Sequence, residues 1–453
     1  MLPGMSADPT REGTQGTRGT LSYWTAPAVE SGVGQTLSYF GLLTLFIYLA
    51  SPALYLVDIQ TSYMLKNQLH KGATVTSAFR LVTAIPVYIA FAAGLVRDQW
   101  NPLGLRDRGY FLIFGPAAAL AFVLLALLPI SYAGLLIGML LVMVLSRFSL
   151  AAYQGLMALV GQERLMSGRL SVVWNVVMSL PIALGAVTSG YISDHLRPRS
   201  TFILVAAFSA CIGALGLWKP RAVFSHAYDK PQAMATNFLG NVKRLVKHKA
   251  IYPAVLICFL WNFAPGGATP LQFYLTNQLH ASDAVFSYFN GIFAAAFIPT
   301  FLLYGFLCKK VALRKLLWWG TIVAIPQMIP LVFIHAPNLA LVLAAPIGLM
   351  GGVATAAYFD LAMRSCPPGL QGTLMMMVDG VLALSSRGGD LLGSWIYNSS
   401  PAHGFLYCVI ATTAVYAAIL PLILLVPRDL IATADGQGNP KIEAEVLQEV
   451  ARN

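Results

Sequence analysis

Charged side chains are scarce in this sequence. They make up 10% of the 453 residues, and hydrophobic residues account for 57%. An ordinary soluble domain carries roughly 25% charged residues, so the composition excludes that class. The chain is instead predicted to be an integral membrane protein with the lipid bilayer as its surroundings. Its net charge of +11 then needs no nucleic-acid partner, because the location of the basic residues accounts for it.

Paired cysteines and catalytic motifs are also missing. The five cysteines are scattered singly, mostly inside apolar runs, and none belongs to a CxxC pair: Cys211, Cys258, Cys308, Cys366 and Cys408. This pattern predicts neither a disulfide framework nor a metal site. No Walker loop, HExxH or GxSxG motif is present, so we predict no enzyme activity and no cofactor.

Long apolar runs dominate what is there. A helix needs about 20 apolar residues to cross roughly 30 Å of hydrocarbon. About twelve such runs occur, near residues 38–62, 74–96, 110–130, 133–158, 169–193, 200–218, 251–276, 285–308, 315–335, 338–363, 372–397 and 404–426. They predict an all-α membrane protein with about 12 transmembrane helices.

The runs also divide the chain into regions. We expect a disordered cytoplasmic tail (1–37), an N-terminal six-helix half (38–218), a basic linker (219–250), a C-terminal six-helix half (251–426) and a second cytoplasmic tail (427–453). The linker contains a predicted surface helix. It would lie on the membrane or bind a partner protein.

The basic residues indicate how the chain is oriented. Lys and Arg concentrate in one alternate set of loops and in both tails, whereas the opposite loops hold only Lys66, Lys71, Arg197 and Arg199. Because basic loops are retained in the cytoplasm, both termini are predicted to be cytoplasmic. A plasma membrane or a bacterial inner membrane is the expected location.

A short segment of the sequence occurs twice. Residues 67–70 read Asn-Gln-Leu-His, and the same four residues recur 210 positions later as 277–280, each time at the end of the first apolar run of a half. The recurrence predicts two pseudo-symmetric halves. Parallel repeats of this kind are typical of carriers whose halves rock about a central site.

One loop resembles a family signature. Between the second and third runs stand Gly94, Asp98, Pro102, Gly104, Arg106, Arg108 and Tyr110. This series resembles the cytoplasmic loop of the major facilitator superfamily, in the stretched form of the folate-biopterin transporter family. The segments FLWNFAP, LRKLLWW and CPPGLQGTL are similar to that family's second half. The resemblance implies the major facilitator fold, with spans one, four, seven and ten around a central cavity.

The same loop predicts a conformational latch. Gly94 would let helices approach closely, and Asp98 would face the start of the eleventh span at Gly372 and Thr373, where backbone N–H groups carry partial positive charge. Arg106 and Arg108 are expected to brace Asp98. The alternative is that the two arginines only set the topology.

Ionisable residues inside the spans are functional candidates, because burying a charge in the bilayer is costly. In the fold that the resemblance implies, Asp58, Arg147 and Asp360 face the cavity. Arg147 would anchor an anionic group, and Asp58 would carry the coupling proton. A permanent pair of Asp58 with Arg147 is the structural alternative.

Three further charges lie in the eleventh span. Arg387 and Asp390 are spaced i, i+3 and are expected to pair with each other. Asp379 has no partner on its own helix. It is a secondary coupling candidate, with Arg80 as its expected partner across the interface between the halves.

Span seven is broken by Pro265, Gly266, Gly267 and Pro270. Four residues surround this break: Trp261, Asn262, Gln272 and Tyr274. They are candidates for stacking on a flat heteroaromatic ring and bonding its edge, or they only pack against neighbouring helices. The family's acids in span four are absent here, since Ser149, Ala151 and Gln154 occupy that region.

Together these features predict a monomeric secondary transporter that works by alternating access. The leading hypothesis is proton-coupled uptake (symport) of a small organic solute, anionic or pteridine-like. An exporter of amphipathic compounds on the same fold is the second. A non-transporting membrane receptor or a membrane-embedded enzyme is the alternative from another class.

Overall fold

The computed structural model of the protein describes residues 32–71, 73–195, 197–224, 238–267, 269–400 and 402–437. Within these ranges every regular element is a helix. The N-terminal half contains α1 (Val33–Leu49), α2 (Tyr55–Tyr63), α3 (Ala73–Thr83), α4 (Ile85–Tyr88), α5 (Phe91–Gln99), α6 (Asp107–Leu127), α7 (Tyr132–Glu163), α8 (Ser167–His195), α9 (Pro198–Leu217) and α10 (Arg221–Phe224).

The linker and the C-terminal half continue the series. They contain α11 (Phe238–Lys247), α12 (Ile251–Asn262), α13 (Thr269–Phe273), α14 (Asp283–Leu307), α15 (Leu313–Ala324), α16 (Pro337–Arg364), α17 (Gln371–Ser399), α18 (Gly404–Ala417), α19 (Ile419–Leu425) and α20 (Arg428–Ile431). Short 3-10 turns occupy Pro102–Gly104 and Ile325–Phe333. The all-α fold is therefore confirmed, and each predicted apolar run overlaps at least one helix.

Length and hydropathy show which helices can span a bilayer. In the described ranges nine helical stretches are long and apolar enough, and α1 and α12 are shorter apolar helices. The 32 residues of α7 extend about 48 Å, which exceeds the ~30 Å of hydrocarbon. One end of α7 must therefore project beyond the apolar layer.

The predicted internal repeat is visible in the backbone. The chain is interrupted between α1 and α2 and again between α12 and α13, and each interruption is followed by a π-helical turn, Met64–Gln68 and Tyr274–Gln278. Each π turn leads to a histidine with positive φ, His70 at 49° and His280 at 51°. The four recurring residues thus mark two segments with the same local conformation, 210 residues apart.

The halves meet along a small set of helices. From the N-terminal half, α8 packs against α14 and α16, while α5 and α7 pack against α17. The loop 100–106 and the turn 365–370 lie together at one end of the bundle, which we name the latch end. These contacts place α16 and α17 at the centre of the molecule.

The ends of the chain differ from the expected boundaries. Helix α1 begins at Val33, so the predicted N-terminal tail is one turn too long; residues 1–31 lie outside the described ranges. Helix α11 occupies the predicted surface helix of the linker. Residues 428–437, expected to belong to a tail, pack against the latch end instead, and Asp435 is buried there.

Helices α6 and α9 approach closely through glycine. A Cβ added at Gly115 would fall 2.7 Å from the backbone nitrogen of Gly213. We expect Gly115→Leu to destabilise the folded protein by about 1–3 kcal/mol, because overpacking forces the helices apart. The measurement is the unfolding temperature of the detergent-solubilised protein. Gly34→Leu is the matched control, since nothing lies within 4 Å of a Cβ there; equal losses in the two variants would contradict the packing account.

Candidate functional site

A cavity of about 410 Å³ lies between the halves. From the N-terminal half, α8 contributes Asn175, Met178, Ser179 and Ile182, and the rest of the lining belongs to the C-terminal half. The aromatic lining consists of Trp261, Phe293, Phe297, Phe301 and Tyr416, and the polar lining includes Asn175, Asn262, Asn290, Gln327, Ser386 and Asp390. Apolar walls with a few polar groups are typical of small-molecule sites.

The break in span seven contributes only part of what was expected. Trp261 and Asn262, at the end of α12, line the cavity. Gln272 and Tyr274 do not: the Tyr274 hydroxyl donates to Ile334 O at 2.8 Å, and its ring stacks on Phe405. The chain resumes after the break as α13, so residues beyond it are displaced from the cavity wall.

A pair of stacked aromatic rings closes the cavity towards the latch end. Trp174 on α8 and Phe359 on α16 lie 3.8 Å apart at an interplanar angle of 5°. The same two helices are joined next to this pair, where the Ser171 hydroxyl donates to Ala356 O at 2.7 Å. These contacts join the two halves and form a floor between the cavity and the latch end.

The latch end holds the predicted contact between Asp98 and α17. The Asp98 carboxylate accepts hydrogen bonds from the Gly372 and Thr373 backbone N–H groups at 3.1 and 2.7 Å, and from the Thr373 hydroxyl at 2.6 Å. A Cβ added at Gly94 would collide with Gly372 O, so the two helices meet at this glycine. The sequence therefore predicted the geometry of this contact, and its role as a latch remains a proposal.

The residue that braces Asp98 was predicted wrongly. Arg97 bonds Asp98 at 2.8 Å and Asp107 at 2.6 Å. Arg108 donates instead to the carbonyls of Gly216 and Leu217, at the end of α9. Arg106 stands at the turn before α6 with a φ of 48°, and its N–H donates to the Asn101 side chain. Of these three arginines, only Arg97 lies on the same helix as Asp98, so its guanidinium is close to the carboxylate.

The charged residues within the spans pair with different partners from those predicted. Arg147 bonds Asp379 at 3.0 Å, and Arg80 bonds Asp58 at 2.8 Å. The expected pairs were Asp58 with Arg147 and Asp379 with Arg80, and neither forms. The first observed pair joins α7 to α17 across the halves, whereas the second stays within the N-terminal half. Arg147 is absent from the described cavity lining, so it does not reach a solute there.

Asp390 also differs from expectation. Its two oxygens accept hydrogen bonds from the Thr269 N–H and hydroxyl, each at 2.8 Å, and no ion pair with Arg387 is seen in the described residues. The break before α13 leaves backbone N–H groups without helical partners. Asp390 caps that helix from α17, and it lines the cavity at the same time.

Asp360 lies below the floor, away from the cavity. It is fully buried, pairs with Arg364 at 2.9 Å and accepts from the Tyr304 hydroxyl at 2.8 Å. Phe359 of the floor precedes it in α16, which turns Asp360 to the latch side. Arg364 lies one residue beyond the predicted apolar run 338–363, and α16 extends to include it.

The comparisons with known proteins agree with this architecture. Residues 164–387 match the family model described as Major Facilitator Superfamily. The chain is 24% identical over 434 residues to the folate-biopterin transporter of Synechocystis sp. (strain ATCC 27184 / PCC 6803 / Kazusa), which covers 91% of this chain and 86% of that protein.

Two further likenesses concern a relative and a solved structure. The chain is 22% identical over 289 residues to folate transporter 1 of Plasmodium falciparum (isolate 3D7), covering 62% of this chain and 56% of that protein. The crystal structure of the human organic anion transporter MFSD10 (TETRAN) superposes with a TM-score of 0.64 at 14% identity, covering 86% of this chain and 99% of that one. The chain belongs to the major facilitator superfamily.

This major facilitator protein is accordingly an integral, multi-pass membrane protein. In its described residues, the hydrogen bonds and ion pairs that join the halves run from the latch end up to the pair of Arg147 with Asp379. Along α17, Asp379 lies six residues after Thr373 and eleven before Asp390. The cavity therefore sits beyond the zone of polar contacts between the halves.

The pair of Arg147 with Asp379 should be a coupled unit in this major facilitator protein. Arg147→Met would leave a mostly buried carboxylate without a partner, which costs about 3–5 kcal/mol. We expect a clear fall in unfolding temperature, largely reversed in the double variant Arg147→Met/Asp379→Leu. Arg80→Met is the control, because that pair is about half exposed and contributes little. A double variant as unstable as the single one would show that the charges do not act together.

Proposed function

We propose that this protein is a secondary active transporter that moves a small organic solute by alternating access. The observation that carries the proposal is the cavity between the halves, with polar contacts closing the path on its latch side. Such a site would be reached from the opposite end in this conformation. Rocking of the halves would then expose it at the latch end, which the basic loops suggest is cytoplasmic.

A ring-shaped solute fits the cavity. Five aromatic side chains line it, and flat rings stack favourably on such walls. The names of two relatives, a folate-biopterin transporter and a folate transporter, point to pteridine-like solutes. The lost acids of span four and the position of Arg147 argue for a solute that need not match those relatives in charge.

Proton coupling is proposed at the pair of Arg147 with Asp379. This pair joins α7 to α17 across the halves, and its side chains are 10% and 22% exposed. Protonation of Asp379 would remove its charge and weaken the attraction that holds the halves together. The protein would then leave the conformation closed at the latch end more easily when Asp379 is protonated. Proton binding would in this way favour the rocking of the halves.

The transport proposal can be tested in proteoliposomes. We expect the reconstituted protein to take up radiolabelled biopterin faster than protein-free vesicles, and to accumulate it when the lumen is alkaline. Folate and a disaccharide serve as alternative solutes. Exchange without a response to the pH gradient would remove proton coupling but keep the carrier. No uptake or exchange of any of these solutes would contradict the proposal.

The contact of Asp98 with α17 gives a second prediction. Asp98→Asn would lose the charge that attracts the Gly372 and Thr373 N–H groups, since charge-assisted bonds are about twice as strong as neutral ones. Initial transport rate should fall at least tenfold, while membrane insertion and yield stay normal. Glu163→Gln removes another acid at the same end and should keep the wild-type rate. A normal rate in Asp98→Asn would remove the latch.

A further inference from the structure

Two buried acceptors in the cavity have no partner. The Asn175 side-chain N–H₂ donates to Ser171 O at 2.8 Å, and this fixes the amide orientation because a carbonyl can only accept. The Asn175 side-chain oxygen then has no hydrogen-bond partner, although the residue is fully buried. The Gln327 side-chain oxygen is in the same state at 2% exposure. Buried polar atoms left in this state are costly, so a ligand that donates to them would stabilise the site.

Asp390 adds a negative charge to these acceptors. It is the charged residue of the described cavity lining, which contains no Lys, Arg or His. Each of its oxygens accepts one hydrogen bond from Thr269, and a carboxylate oxygen has room for another. A carboxylate or phosphate on a solute would therefore be repelled by Asp390 and by the two free acceptor oxygens. No cationic side chain of the described lining would offset this repulsion.

The aromatic walls act in the same direction. The rings of Trp261 and Tyr416 lie 4.8 Å apart, beside Phe293 and Phe297. The faces of such rings carry partial negative charge and attract cations. Arg147 offers no compensation, because Asp379 holds its guanidinium.

We propose that this cavity takes a flat, nitrogen-bearing aromatic solute that is neutral or cationic, with N–H groups donating to Asp390, Asn175 and Gln327. It discriminates against anionic solutes. The assignment rests on the proposed function only in naming this cavity as the transport site, and binding can be measured without transport.

Three bicyclic probes of nearly equal shape separate charge from size: 2-naphthamidine (cationic donor), 2-naphthamide (neutral donor) and 2-naphthoate (anion). Dissociation constants come from ligand-dependent unfolding temperatures of the full-length protein in detergent. We expect the amidine and the amide to bind at least tenfold more tightly than the naphthoate. Equal or tighter binding of the naphthoate overturns the assignment, as does the absence of binding by all three.

Two variants locate the charge preference. Asp390→Asn should weaken amidine binding at least tenfold and amide binding less than threefold. Ser386→Lys, one turn away on α17, adds a cation beside Asp390 and should also weaken the amidine at least tenfold; it keeps the test valid if Asp390→Asn does not fold. Glu163→Gln is the control. Unchanged amidine affinity in either folded variant refutes the role of Asp390. Charge-selective binding without any uptake in vesicles would instead contradict the transport function alone.

A separate observation concerns residues 428–437, which we name the C-terminal clasp. The clasp is anchored on the C-terminal half. Arg364 donates to Thr433 O at 3.1 Å, and the Asp435 N–H donates to Cys308 O at 2.8 Å. It also follows α19 directly in the chain. These contacts make it part of the C-terminal half.

The clasp also binds the N-terminal half. The Asp435 carboxylate, which is fully buried, pairs with Arg169 at 2.7 Å and accepts from Gly168 N–H at 3.0 Å. The Gly436 N–H donates to Leu165 O at 2.6 Å. Parting of the halves at the latch end would break this second set, because the first set and the chain itself hold the clasp to the C-terminal half.

We infer that the clasp is a second lock on the latch end, with the pair of Asp435 and Arg169 as its closing contact. Release of this pair should shift the protein towards a state open at the latch end. Residues at the latch end should then become more accessible to reagents, and residues in the cavity less accessible from the opposite end. Simple loosening of the clasp would increase accessibility at the latch end without changing it in the cavity.

Cysteine labelling reports both sites. Cys308 is 1% exposed and lies against the clasp. The labelling is done in a variant whose other four cysteines are replaced by serine. Asp435→Ala should raise maleimide labelling of Cys308 at least fivefold. In the same background with Cys308→Ser, the reporter Asn290→Cys should label at least threefold more slowly from the opposite end when Asp435→Ala is added.

Controls separate the lock from general damage. The charge exchange Asp435→Arg/Arg169→Asp should restore both labelling rates towards wild type, and Asp429→Asn, on an exposed residue of the clasp, should change neither. Faster Cys308 labelling without slower labelling at residue 290 overturns the lock. Unchanged rates in Asp435→Ala overturn it as well.

Discussion

A charge or a peptide group cannot be left alone in hydrocarbon, and this constraint organises the whole protein. Water that would otherwise solvate such groups is absent there, so each must find a partner within the chain. Asp360 is fully buried and is bonded by both Arg364 and Tyr304. The N–H group exposed by the break before α13 is bonded by Asp390 from another helix. Partner selection therefore fixes how the helices are rotated and how deep they lie.

The same constraint ties the two halves together in a way that can be undone. Asp98 uses backbone N–H groups of α17, and Arg147 uses Asp379 of that helix. Each contact is strong while the groups are shielded from water and becomes replaceable once water enters. Polar contacts thus suit the alternating access that we propose, whereas an apolar interface would have no polar partner to exchange for water.

The site is asymmetric although the chain is duplicated. The π turns that lead to His70 and His280 show that the two copies keep the same local backbone. The cavity nevertheless draws most of its lining from the C-terminal half, with Asn175 and its neighbours on α8 as the contribution of the other. The two halves therefore share a backbone frame, while the side chains on individual helix faces give the cavity its unequal lining.

The sequence predicted the position of one contact between the halves, although the function of that contact is still a proposal. The approach of Gly94 to Gly372 and the contact of Asp98 with Thr373 followed from a motif and from the position of two helix ends at one side of the membrane. The partners of Asp58, Arg147 and Asp390 were assigned wrongly. Spacing along one helix favoured Arg387 for Asp390, yet the partner came from a break on a neighbouring helix.

The sequence by itself determined the class of protein, its all-helical fold and the duplication, because hydropathy and length depend on each segment alone. The tertiary structure decided which charges pair, which side chains reach the cavity and where residues 428–437 lie. Hydropathy does not specify how an apolar helix is rotated about its axis. Only the packing of α7, α16 and α17 against their neighbours fixes the direction in which Arg147, Asp360 and Asp390 point.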